Sequence, residues 1–283
     1  MQPTVLITGC SSGIGLSAAL TLHRRGYRVF ASARKETDVK ILQQQGLIDS
    51  LMLDIEDSDS IQRGLAEVLA KTGGTLDALI NNAGYAIPGA VEDLSRDLMR
   101  KQFETNVFGT MELTNRVIPI MRQQGSGRII QVTSILGIIA MPYRGAYNAS
   151  KFALEGFSNT LRMELRDSPI KVIMIVPGPI ATRFRQNSVA VYDKTLKGKD
   201  SVHQDRYHKM SAQFTTPAPK SEKLFTLPPE AVVDKMITAL ESKRPSAHYY
   251  IGLPAKLFAF LRRLLPDCCL DWVLDLSLRG EKK

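Results

Sequence analysis

The sequence predicts an α/β protein, one doubly wound parallel sheet of about seven strands with helices on both faces. Two observations carry the prediction. Short β-branched runs at Thr4–Thr8, Arg28–Ser32, Ser50–Leu53, Ala78–Asn81, Arg128–Thr133, Lys171–Val176 and His248–Ile251 each adjoin a helix-length amphipathic segment, and such alternation means parallel strands joined by right-handed crossovers. Several of these runs, Val172-Ile173-Met174-Ile175-Val176 above all, are continuously apolar, as strands buried on both faces must be. With 283 residues, 44% hydrophobic and 23% charged, the chain has ample material for one large core and none of the composition of a disordered, collagenous or coiled-coil protein.

The first strand runs through Thr8-Gly9-Cys10-Ser11-Ser12-Gly13-Ile14-Gly15 into a helix over Leu16–Arg25. Gly9 permits the tight turn, Gly13 lets backbone approach a pyrophosphate, and Gly15 allows close helix-to-strand packing. The helix N-terminus offers unpaired N–H groups and a positive dipole end. The spacing is G-x3-G-x-G rather than G-x-G-x-x-G, so the loop's place in the first β-α unit makes it a dinucleotide site. The second strand ends in Ser32-Ala33-Arg34-Lys35 without an acid to bind a ribose 2′-hydroxyl. Arg34, assisted by Ser32 or Lys35, suits a 2′-phosphate instead, which predicts NADP(H) in preference to NAD(H).

The fifth strand ends at Ser134, and Tyr147-Asn148-Ala149-Ser150-Lys151 opens a long helical pattern thirteen residues later. Positions four apart share a helix face, so Lys151 sits beside Tyr147 and its charge should favour the phenolate. Tyr147 then reads as general acid in reduction and general base in oxidation, with Ser134 hydrogen-bonding a carbonyl oxygen.

The chain also carries Asn81-Asn82-Ala83-Gly84 after the fourth strand, Asn106-Val107-Phe108-Gly109 within a helix, and Pro177-Gly178-Pro179-Ile180-Ala181-Thr182 after the sixth. In this order, over residues 3–185, the motifs closely resemble the short-chain dehydrogenase/reductase family. Cys10–Gly15, Arg162-Met163-Glu164-Leu165 and Pro177–Ile180 are most similar to the branch of retinol and 17β-hydroxysteroid dehydrogenases and bacterial aldehyde reductases. The resemblance implies a single Rossmann-like domain with Asn106, Ser134, Tyr147 and Lys151 catalytic, Asn106 holding a water that relays protons from Lys151. Ser134 and Tyr147 would also touch the substrate. By the same resemblance Ser11, Ser12 and Ile14 join Gly9, Gly13, Gly15, Arg34 and Lys35 on the dinucleotide. Asp54 and Ile55 would contact adenine, and Asn82, Ala83 and Gly84 would lie along the adenosine ribose. Val107, Tyr147 and Lys151 complete the set with Pro177, Gly178, Ile180 and Thr182, the last turn holding the nicotinamide carboxamide.

Residues 1–182 thus form the nucleotide-binding and catalytic core. After Thr182 the regular pattern lapses until a helix at Glu230–Lys243, and 183–229 reads either as a substrate lid or as a solvated loop. Residues 230–252 supply the last helix and strand, and 253–283 an amphipathic tail. There Leu257, Leu261, Leu264 and Leu265 make a stripe beside Lys256, Arg262 and Arg263, and Asp267, Asp271 and Asp275 mark the polar face of a second helix. The net charge is +9, and 183–223 holds nine Lys and Arg against four acids, but no nucleic-acid motif accompanies them. Three cysteines, no metal-ligand spacing among four histidines and no membrane-spanning run indicate a metal-free cytoplasmic protein with its histidines on the surface. Apolar residues near the site, among them Ala86, Ile87, Ile135, Leu136, Ile138, Ile139 and Met141, indicate a hydrophobic carbonyl or alcohol such as an aldehyde, retinoid or hydroxysteroid. The expected activity is carbonyl reduction, with hydroxysteroid or retinol oxidation as the alternative. The non-enzymatic alternatives are an NADPH-binding sensor or scaffold and a membrane-surface protein. The family resemblance implies a homodimer or homotetramer. The tail is expected to pack over the pocket or a partner copy, with peripheral membrane contact left open.

Overall fold

All seven expected strands form. In the computed structural model, which describes residues 2–198, 200–215 and 225–279, they are β1 Thr4–Ile7, β2 Arg28–Ala33, β3 Leu51–Met52, β4 Ala78–Asn81, β5 Gly127–Val132, β6 Ile170–Pro177 and β7 His248–Ile251. They pair in parallel in the order β3-β2-β1-β4-β5-β6-β7. The helices are α1 Gly13–Arg24, α2 Glu36–Gln44, α3 Ser58–Thr72, α4 Arg96–Phe103, α5 Thr110–Gln123, α6 Gly145–Glu164, α7 Phe184–Thr195, α8 Gln204–Thr215, α9 Glu230–Glu241, α10 Leu253–Leu264 and α11 Asp267–Arg279.

The period of two along each strand sorts its side chains onto two buried faces. Val5, Ile7, Ile130, Ile173 and Ile175 pack under Ala18 and Leu22 of α1 and Val232 and Met236 of α9. Leu6, Leu79, Ile129, Val172 and Met174 pack under Ile61 of α3, Leu113 and Val117 of α5 and Leu161 of α6. Apolar burial carries the joint between α1 and α9. The Arg25–Glu241 pair that also links them, 2.9 Å apart and 46% and 44% exposed, adds at most about 1 kcal/mol.

The winding reverses between β1 and β4, which opens a crevice at their C-terminal ends where such sheets bind ligands. Three close approaches shape that end. A Cβ on Gly15 would lie 2.3 Å from the Gly9 carbonyl oxygen, one on Gly109 would lie 1.7 Å from that of Ile55, and one on Gly137 would lie 2.8 Å from that of Lys151. Each glycine lets a helix or turn sit directly on backbone.

One sequence expectation is refined and two are corrected. Asn106 lies within a helix, but in a wide π-helical turn over Glu104–Gly109 that joins α4 to α5, the kind of local bulge that concentrates at functional sites. The segment after Thr182 is not patternless, since α7 and α8 occupy much of it. Their period was hidden because α7 buries little of itself and is held at its ends, with Val191, Tyr192 and Leu196 packed against Ile87, Leu98 and Ala146. Position 199 and positions 216–224 of that basic segment lie outside the described residues. The tail stripe divides, with Leu261 and Leu265 turned inward and Leu257 and Leu264 left exposed.

The fold makes a paired prediction. Gly109→Ala should cost several kcal/mol, read from denaturant unfolding, because the new methyl meets backbone that has no room to yield. Gly156→Ala, with nothing within 4 Å of its Cβ, should be neutral or stabilising by about 0.5–1 kcal/mol through helix propensity.

Candidate active site

The crevice is built from the loop after β1 and the turn after β4. Gly9 and Gly13 adopt φ of 72° and 61°, the left-handed region that favours glycine. Asn82 stitches the two segments together, its amide donating to the Thr8 and Gly9 carbonyls at 2.9 and 3.1 Å. The backbone N–H groups of Asn82 and Ala83 both donate to the Thr8 hydroxyl at 3.0 Å. Asn82 thus ties the turn after β4 to the loop after β1.

The residues fit a dinucleotide. Ser12 caps α1 without a side-chain hydrogen bond, so its first N–H groups remain open to phosphate. A Cβ on Gly13 would meet Thr182 at 3.2 Å, which brings the turn after β6 against the loop. That turn is fixed by the Gly178 N–H donating to the Ile251 carbonyl at 2.9 Å and by the Ile180–Leu227 bridge. Arg34 and Lys35 stand exposed beyond β2, while Ser32 is buried with its hydroxyl unpartnered. Asp54 is partly buried, its carboxylate accepting from the Glu56 N–H at 3.1 Å. Ile55 and Val107 are buried, Ile55 beneath Gly109.

Ser134, Tyr147 and Lys151 converge as expected, 9%, 8% and 5% exposed. Ser134 accepts from the Leu136 N–H at 3.1 Å, and its side chain lies near enough to the Tyr147 phenol to favour the phenolate. The Lys151 ammonium donates to the Val132 carbonyl at 2.9 Å and lies 5.8 Å from the centre of the Tyr147 ring. Asn106 is brought to the same place, but its amide is engaged at both ends. Nδ2 donates to the Tyr85 carbonyl and the Ser150 hydroxyl, each at 3.0 Å, and Oδ1 accepts from the Tyr85 N–H at 3.1 Å.

The electrostatics differ from the expectation that Lys151 draws the phenol's pKa down. Burial pushes Tyr147 up to about 12, against the Ser134 hydrogen bond and the charge of Arg144, and pushes Lys151 down to about 8, against the attraction of Glu155. Desolvation outweighs both opposing influences because the phenol is buried. Ala86, Ile135, Leu136 and Ile139 surround Tyr147 from the core side, and Ala255, Phe258, Leu261 and Leu265 of the α10 region with Leu270 and Leu274 of α11 cover it. The tail helices α10 and α11 thus share one apolar cluster with Tyr147. Phe184, the first residue of α7, closes a further side, its ring 5.4 Å from that of Tyr147.

The helix α8 is fastened over the loops beside the site. Tyr207 donates to Asp93 and accepts from the Ala90 N–H at 2.9 Å, and Ser201 donates to Asp93 at 2.7 Å. His203 stands edge-on to Tyr143 with ring centres 5.5 Å apart. Tyr143 holds φ of 61°. A shallow cavity of about 480 Å³ lies here, lined by Ala90, Val91, Glu92, Pro142, Tyr143 and His203, with none of the catalytic candidates in its wall.

Comparison with known proteins agrees with this geometry. Residues 3–193 match the short chain dehydrogenase family model. The chain belongs to the short-chain dehydrogenase/reductase family. Among relatives of this oxidoreductase, the uncharacterized oxidoreductase YbbO of Escherichia coli strain K12 is 42% identical, over 97% of this chain and 95% of its own. An NADPH-dependent 3-dehydrocapnine reductase of Ornithobacterium rhinotracheale is 30% identical, over 97% and 96%. A short-chain dehydrogenase from Streptomyces avermitilis superposes with a TM-score of 0.74 at 27% identity, covering 99% of this chain and 95% of that one. The short-chain dehydrogenase/reductase fold binds NAD(P), and the family consists of oxidoreductases.

Sequence reasoning missed Glu155, Gln102 and His248 in this family member's site. Glu155 is buried, accepts from Thr133 at 2.6 Å and pairs with His248 at 3.0 Å, so His248 is no surface residue. Its signal was present, since Tyr147, Lys151 and Glu155 repeat at four-residue spacing. Gln102, fully buried, accepts from the Ile87 N–H and donates to the Tyr85 carbonyl, both at 2.7 Å; nothing in the sequence marks it apart from other helix glutamines.

Lys151→Met gives a signed test. A buried lysine with its pKa lowered from 10.5 to about 8 penalises the folded state below pH 8, and the penalty fades as pH rises from 8 to 10.5. Thermal denaturation should therefore show wild type gaining stability relative to the variant over that interval. A parallel response of the two proteins would contradict the burial argument.

Proposed function

We propose that the protein reduces a hydrophobic aldehyde or ketone to an alcohol with NADP(H), Tyr147 supplying the proton. The observation that carries this reading is the Tyr147 phenol buried beside Ser134 under an apolar cover, with Lys151 one turn along α6. Bound NADPH supplies the hydride. Ser134 and Tyr147 orient the carbonyl oxygen by hydrogen bonds from two sides. A phenol whose pKa is about 12 arrives protonated at neutral pH and has a proton to give. Lys151, fixed by the Val132 carbonyl, stabilises the phenolate left behind. A proton relay through Asn106, as the family resemblance implies, would use its main-chain carbonyl, since its side chain tethers Tyr85 and Ser150.

The preference for NADP(H) rests on Arg34 and Lys35 at the exposed end of β2 with no acid between them and the strand, and draws support from the relative named an NADPH-dependent reductase. A hydrophobic substrate follows from the pocket's lining. A reducing, cytoplasmic setting fits the three free cysteines, of which Cys10 is buried. No helix among the described residues is long and apolar enough to cross a membrane.

Two measurements test the reading. Tyr147→Phe should lower turnover of an aldehyde and ketone panel by roughly 10²–10⁴-fold, the worth of a general acid, while fluorescence titration shows NADPH binding nearly unchanged. Loss of both would make the residue structural. Arg34→Ala should weaken NADPH by about tenfold or more and leave NADH almost unaffected, as removal of one charge-assisted phosphate contact requires. Equal binding of NADH and NADPH by the wild type would sink the preference.

A further inference from the structure

The helix α10 has two apolar faces and uses only one of them. Its inner face, with Ala255 and Ala259 buried and Phe258 and Leu261 beside them, covers the Tyr147 cluster. Its outer face carries Leu253, Leu257, Phe260 and Leu264, which follow one another at spacings of four, three and four and so form a single stripe. They are 62%, 45%, 60% and 62% exposed. Four large side chains in one exposed row are not the scattered surface hydrophobes of an ordinary globular domain.

The charges around the stripe are of one sign. From Leu253 to Pro266 the chain has three cations, Lys256, Arg262 and Arg263, and no acid. Lys256 and Arg263, each three residues beyond a stripe member, border it along one flank. Both are exposed and neither forms an ion pair with any described residue, whereas Arg262 pairs with Asp267 at 2.9 Å. A stripe of leucine and phenylalanine flanked by lysine and arginine is the pattern of a helix lying in a membrane interface. The acids Asp267, Asp271 and Asp275 all belong to α11, so the footprint is that of α10. A second copy packed stripe to stripe with its helix antiparallel would set Lys256 and Arg263 of the two chains on the same flank against each other, an unfavourable pairing of like charges. Anionic headgroups meet the same cations favourably.

We propose that the outer face of α10 docks the protein on an anionic lipid surface, with Leu253, Leu257, Phe260 and Leu264 entering the interface and Lys256 and Arg263 meeting headgroups. The docking is independent of which carbonyl is reduced. Through Phe258 and Leu261 the same helix places the cover of the Tyr147 pocket at the lipid boundary.

Sedimentation of the full chain with phosphatidylglycerol vesicles and with phosphatidylcholine vesicles tests this. Wild type should pellet with the first and bind the second at least about tenfold more weakly. Leu253→Ser combined with Phe260→Ser should reduce binding to phosphatidylglycerol by about tenfold or more. Lys256→Gln combined with Arg263→Gln should reduce it and flatten its salt dependence. Both double variants should keep wild-type activity on a soluble aldehyde and a wild-type melting temperature, which separates lost docking from lost folding. Three results would overturn the proposal: no binding of wild type to phosphatidylglycerol, binding unchanged in the Leu253/Phe260 variant, or sedimentation velocity showing a wild-type dimer that the Leu253/Phe260 variant dissociates.

Discussion

The Lys151 ammonium, buried and bonded to the Val132 carbonyl, is the constraint on which the rest of the site depends. A charge in an apolar pocket is costly unless it is paired or hydrogen-bonded, and here one bond to the end of β5 and the more distant Glu155 carboxylate are the compensation. That bond draws α6 down onto the sheet, an approach possible because Gly137 has no side chain to meet the Lys151 carbonyl. With α6 so seated, Tyr147 falls beside Ser134, and both face the crevice that the reversal of winding opens between β1 and β4.

Dryness links the geometry to the chemistry. The tail helices over Tyr147 and Phe184 against its ring exclude the solvent that would hold its pKa near an ordinary value. The same exclusion raises the phenol and lowers the lysine, so the two groups are pulled towards their neutral forms together. A site of this kind keeps its proton until negative charge develops on a carbonyl oxygen beside it, which suits a general acid. Glu155 extends the arrangement to the sheet's far edge through Thr133 and His248, tying β5, α6 and β7 into the support of one lysine.

The sheet was legible in the sequence because its strands are short, largely apolar runs alternating with amphipathic helices, and the candidate site because its glycines, Ser134, Tyr147 and Lys151 stand at spacings with direct geometric meaning. What was hidden has physical causes. The wide turn around Asn106 has no distinct composition. The helices α7 and α8 carry little apolar periodicity because packing at their ends, through Phe184, Leu196 and Tyr207, holds them. The direction of the Tyr147 shift depended on burial by α10 and α11, a tertiary effect that a local Tyr-x3-Lys pattern does not contain. The sequence read Leu257, Leu261, Leu264 and Leu265 as one stripe, whereas the fold turns two of them inward and two outward.

Burial, not a neighbouring cation, sets the state of Tyr147 before the dinucleotide binds. Carbon-13 labelling of the eight tyrosines, with Tyr147→Phe to assign the signal, allows its phenol to be titrated directly by NMR. Tyr147 in the free protein should titrate at about 12 and move to lower pH when NADP⁺ adds positive charge beside it. Titration at or below 10 in the free protein, with no response to NADP⁺, would contradict it.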